Sequence, residues 1–123
     1  MNKIELENRL IDFSILIIEL VRNLPDEKSM NHLANQLIRS GTSPALNYGE
    51  AQSGESRKDF IHKLKIILKE LRESHICLRI INKSNLSITD LNLETVINEC
   101  NELISIFAKS VDTAVKNFKS ELA

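Results

Sequence analysis

Two runs of polar side chains in this sequence repeat at helical spacing, and they are where chemistry or recognition would sit. His32, Gln36, Arg39, Ser40, Ser43, Asn47 and Glu50 fall within a narrow arc of one helix. Long Lys and Glu dominate an ordinary solvated face, whereas Gln, Ser and Asn are short and uncharged. That choice suits a close-packed seam between helices or subunits in which polar groups satisfy each other. A plain solvated face is the competing reading. The second run is basic. Lys58, His62, Lys65, Lys69, Arg72, Arg79 and Lys83 follow four–three spacing along one helix edge, interrupted only by Ile76. From Gly54 to Lys83, eight Lys/Arg stand against four Asp/Glu; from Ser84 onward, three Lys stand against six Asp/Glu. Such an edge pairs with the acids of a neighbouring helix or subunit, or it tracks phosphates, with Lys58, Lys65, Lys69, Arg72 and Arg79 as the RNA-binding set.

Other chemistries lack their parts. A di-metal carboxylate site in helices needs two Glu-x-x-His motifs and two further Glu. The nearest match is a single Asp59-x-x-His62, and neither His32 nor His75 has a carboxylate three residues before it. Cys77 and Cys100 fall in apolar surroundings that raise a thiol pKa, with no base in register. They read as reduced core cysteines of a cytoplasmic protein. No Gly-rich phosphate loop or Cys/His zinc spacing occurs. We therefore expect no catalytic residue, cofactor, metal or small-molecule substrate.

Four helices must carry these runs, at about 3–23, 26–52, 56–82 and 89–121, within one domain spanning 1–123. Gly (3) and Pro (2) are too scarce to punctuate an all-β chain. In the first segment Leu6, Leu10, Phe13, Ile17, Leu20 and Leu24 alternate by four and three, with Ile4, Ile11, Ile15 and Ile18 as a second stripe beside them. Leu24-Pro25 stops that helix. Asp26 and Glu27 are expected in the first turn of the second, at the positive end of its dipole. Pro44 predicts a kink near 40–44. Ser56 with Asp59 resembles a capping box, and Ser87 or Thr89 is expected to cap the fourth helix. Short loops and heptad-like seams imply an up-down antiparallel four-helix bundle.

The third helix is apolar on two sides. Ile66, Ile76, Cys77 and Ile80 lie away from the Leu64–Leu71–Leu78 seam, and a helix apolar on two sides usually buries both. In a bundle of four helices the second side faces a partner chain or solvent; scattered exposed aliphatics are the competing reading, and the contiguity of the set favours a partner chain. The net charge of −1 gives no global pull toward polyanions. The aromatic content of 4% leaves no broad platform for stacking bases. The N-terminus carries Lys3, Glu5 and Glu7 where a secretory leader would be apolar, and Glu19 cuts the run Phe13–Ile18 far short of a membrane span.

At NQLIRSGTSPALNYGEAQSGESRKDFIHKLKIILKELRES the chain resembles the 23S rRNA intervening-sequence proteins. The residues that carry the resemblance are Arg39-Ser40, Ser43, Asn47 and Glu50, then Phe60-Ile61, then Glu70 and Glu73 within KELRES. The match is close in this middle third; the outer helices agree in length and apolar pattern. Ala51 stands where many members have Gly, and Pro44 lies one position before their usual Pro. The resemblance implies an up-down bundle, a ring-like homopentamer and no established enzymatic activity. It makes Arg39, Ser43, Asn47, Glu50, Glu70 and Glu73 a structural set. More distant relatives are basic accessory subunits of diversity-generating retroelements that engage RNA and a reverse transcriptase.

Overall fold

The computed structural model describes residues 1–53, 56–84 and 92–122. It holds four α-helices: α1 (Lys3–Arg22), α2 (Lys28–Gln52), α3 (Arg57–Lys83) and α4 (Leu93–Leu122), with no strand among the described residues.

Local chemistry sets the helix ends. The Asn2 side chain accepts the Glu5 N–H at 2.8 Å, and the Glu5 carboxylate accepts the Asn2 N–H, closing a capping box on α1. Ser56 caps α3 by accepting the Asp59 N–H at 3.1 Å. The start of α2 departs from the sequence expectation. It begins at Lys28, so Asp26 and Glu27 precede the first turn rather than occupy it. The Pro25 carbonyl accepts the Glu27 N–H in a turn, which delays the helix. The two acids instead take bonds from Asn31 Nδ2 and Ser29 Oγ. Helix α4 begins later than position 89, because Asn92 has φ 52° and breaks the helical path. The expected caps Ser87 and Thr89 lie outside the described residues. Helix α2 runs unbroken through Pro44, whose ring is fully buried. Burial of that ring helps to offset the hydrogen bond that proline removes.

One core cluster joins all four helices. Leu10, Phe13, Ile17, Leu37, Ile67, Leu71, Leu78, Leu103 and Phe107 have no exposure at all. Each such side chain contributes about 1.5–3 kcal/mol by leaving water. Tyr48 meets Phe107 edge to face, with centroids 5.8 Å apart. Gly41 lets α1 and α2 approach closely. A Cβ there would fall 2.7 Å from Ile17 Cγ1, so a larger residue would force the helices apart.

The α1 backbone runs beside α2 and α4, and the α3 backbone beside the same two; the α1 and α3 backbones lie across the core from each other. Cross-helix pairs run in opposite senses. Ile17 lies by Gly41 and Glu7 by Gly49; Arg39 reaches Glu70 while Glu50 reaches Lys63. No helix among the described residues is long and apolar enough to cross a membrane.

Candidate interaction surfaces

The α2 polar run forms a seam against α3. Ser40 is fully buried and lies 2.8 Å, oxygen to oxygen, from Ser74, itself fully buried. The Ser74 hydroxyl is also 3.0 Å from the Glu70 carbonyl. Above this pair, Arg39 donates to Glu70 at 2.8 Å and to Glu73. That contact holds the Glu73 carboxyl below the usual carboxylate range, against a smaller opposing push from burial. Below it, Asn47 donates to Ser43 Oγ at 2.8 Å and to the Ser43 carbonyl. Lys63 donates to Glu50 and reaches Asn47 Oδ1 at 3.5 Å. Ser43 and Asn47 are half-buried; Arg39, Glu50 and His32 are exposed. The run is thus buried in the middle and wet at its margins. No side-chain nitrogen or oxygen buried among the described residues lacks a partner.

The basic run of α3 faces the opposite way. Lys58, Lys65, Lys69, Arg72, Arg79 and Lys83 are all exposed. None forms an ion pair with a described residue. The chain's paired cations lie elsewhere: Arg9 with Glu99 and Glu102, Arg39 as above, Arg57 with Glu121, Lys63 with Glu50, and Lys116 with Asp112. Sequence reasoning missed Arg9–Glu99 and Arg57–Glu121, since nothing local links positions so far apart. Lys63 carried a usable signal: it falls off the four–three spacing of the basic track and so faces α2.

The second apolar side of α3 is narrower than the sequence implied. Cys77 is buried within the chain and Ile66 is half-buried, which leaves Ile76 (51%) and Ile80 (47%) exposed. Helical period puts Cys77 and Ile66 on the outer side, but period alone cannot say how far a neighbouring helix reaches round. Helix α1 shows a matching stripe: Ile4, Ile11 and Ile15 are exposed, with Ile18 half-buried.

Neither cysteine is placed for nucleophilic chemistry. Burial pushes the Cys100 thiol up to about 12, and its Sγ points at the Leu71 carbonyl, 3.3 Å away. Burial raises the Cys77 thiol too. Asp59 and His62 stand exposed near the start of α3, and no group of three metal-ligating side chains forms among the described residues.

Four helices around one internally paired polar seam define an all-α protein. The chain belongs to the 23S rRNA-intervening sequence protein family, whose model matches residues 2–109. It is similar to a solved protein of unknown function from the S23 ribosomal protein family of Bacteroides thetaiotaomicron. The two are 29% identical with a TM-score of 0.80, over 91% of this chain and 99% of that one. No curated protein matches the chain.

Proposed function

We infer that the chain is a non-enzymatic, cytoplasmic scaffold: a single-domain, up-down antiparallel four-helix bundle that assembles into a ring-like homo-oligomer and binds a macromolecular partner. The observation that carries this reading is the separation of its polar groups. Those on the α2–α3 seam are paired within the chain, whereas the outer faces of α1 and α3 present isoleucines and unpaired charge. Exposed isoleucines in register on one helix face suit an association site. Arg39, Ser43, Asn47, Glu50, Glu70 and Glu73 serve the bundle as structural partners. The number five comes from the resemblance to intervening-sequence proteins. Light scattering at micromolar concentration tests the assembly: a defined multiple of 14.0 kDa supports it, and the monomer mass refutes it.

A second reading, an RNA-binding accessory protein, is favoured by the six exposed cations of α3 that find no acid among the described residues. An oligomer repeats this edge on every subunit, so weak phosphate contacts act together through effective concentration. Fluorescence anisotropy with a structured RNA tests it; no binding at low salt eliminates it.

A further inference from the structure

We propose that the outer face of α1 on one copy of this chain packs against the C-terminal half of the outer face of α3 on the next, as a head-to-tail contact; the proposal rests on the oligomeric reading above. The two faces are complementary. On α1, Ile4, Ile11 and Ile15 are 70%, 43% and 47% exposed. Asp12 and Glu19, seven residues apart, run along one margin of that stripe; both are exposed, and neither pairs with a described cation. On α3, Ile76 and Ile80 line a shallow groove with Arg79 and Lys83, and Arg72 lies one turn before Ile76. The α1 face is apolar with two acids along one margin and one cation, Arg22, in its last turn; the α3 face is apolar with a basic margin.

A single chain cannot bring them together, because the α1 and α3 backbones lie across the bundle from each other and both faces point outward. Two copies can. Pairing α3 with α3 would set Arg79 and Lys83 against the same cations, and a parallel pairing of α1 with α1 would set Asp12 and Glu19 against their own copies. Like charges across an interface are penalised, so the charge pattern selects the unlike pairing. Unlike patches make a heterologous contact, which propagates from subunit to subunit and closes into a ring when the rotation permits. This assigns α3 two consecutive roles along its length. The Ile76–Lys83 end meets the neighbouring subunit, and the Lys58–Lys69 end, which carries no exposed aliphatic, stays open.

Charge reversal on each face separately, then on both, tests the pairing. The variants are Asp12→Lys with Glu19→Lys, Arg79→Glu with Lys83→Glu, and one chain carrying all four changes. Each two-residue variant should associate more weakly than the parent, roughly tenfold or more in dissociation constant. The four-residue chain, in which both margins are reversed, should recover the parent's sedimentation coefficient. Far-UV circular dichroism on each variant separates loss of assembly from loss of fold. A parent that sediments as a monomer overturns the oligomeric reading and this proposal together. A parent oligomer unmoved by either pair of reversals overturns the proposal alone, as does a four-residue chain that stays dissociated.

Discussion

The α2–α3 seam and the outer face of α3 draw on one helix, yet they treat charge in opposite ways. On the seam, Ser40, Arg39, Asn47 and Glu50 each find a partner inside the chain, either across the helix pair or one turn away. On the outer face, no Lys or Arg does so among the described residues. Buried polar groups are costly unless paired, so the seam ties the two helices in one register. An exposed cation costs little in water, so the outer face is free to follow the demands of association rather than of folding.

The seam is where substitution should hurt most. Ser74→Ala removes the hydroxyl beside Ser40 in a site closed to water, and Ser40 Oγ loses its cross-helix partner. The expected loss is about 1–3 kcal/mol, read as a drop in urea midpoint with unchanged slope. A shift near zero would mean that the serines pack without depending on each other. Asn47→Leu comes next. It removes both bonds to Ser43 and leaves Lys63 with Glu50 alone, at a half-buried position. The expected loss is about 1 kcal/mol, against the ~0.5 kcal/mol bound for a solvated face.

Much of this contrast was legible in the residues. The leucine seam of α1 predicts Leu6, Leu10, Phe13, Ile17, Leu20 and Leu24 as core; the first five are buried, and Leu24, past the helix end, is half-buried. The short polar side chains of α2 pointed toward close packing, because Ser and Asn reach a neighbour only when backbones are near. What could not be read was which side of a helix its neighbours cover. The 3.6-residue period gives an angle, not the extent of contact, so it places Cys77 outward where the fold buries it. Helix starts after Pro25 and Asn92 depended on turn geometry that period does not encode. The isoleucine stripe of α1 was visible as a stripe; its exposure depended on where α2 and α4 sit.

The seam should also be the part that feels acid. The Arg39 hydrogen bond holds the Glu73 carboxyl below its ordinary value. A carboxylate with a lowered folded-state pKa stabilises the fold at pH above its unfolded value. That stabilisation fades as pH falls through the folded one. Glu73→Gln should therefore flatten the acid limb of the stability–pH curve below the unfolded value, while altering the neutral plateau only modestly. Equal acid limbs for parent and variant would show that the ion pair is too solvated to contribute. The outer-face cations make no such contact with a described carboxylate, so Lys65→Gln should leave that limb unchanged.

The smallest effect on stability belongs to the outer face, and it discriminates most sharply between its two uses. Replacing Lys65, Lys69 and Arg72 by Glu removes no internal ion pair and disturbs no buried atom, so the urea midpoint should move within about 0.5 kcal/mol per site. If the N-terminal part of this edge is a phosphate track, the parent binds structured RNA at low salt. Its affinity then falls steeply with added salt, because each neutralised phosphate releases counterions. The triple variant loses that binding. Lys65 and Lys69 lie outside the Ile76–Lys83 contact, so the variant keeps its sedimentation coefficient, with Arg72 contributing at most a modest weakening. The opposite outcome is equally readable. If the triple variant dissociates the oligomer, these charges meet acids of a neighbouring subunit, and the contact extends further along α3 than its isoleucines mark. Sedimentation and anisotropy on the same preparation separate the two, because a phosphate track predicts intact assembly without RNA binding and an extended interface predicts lost assembly.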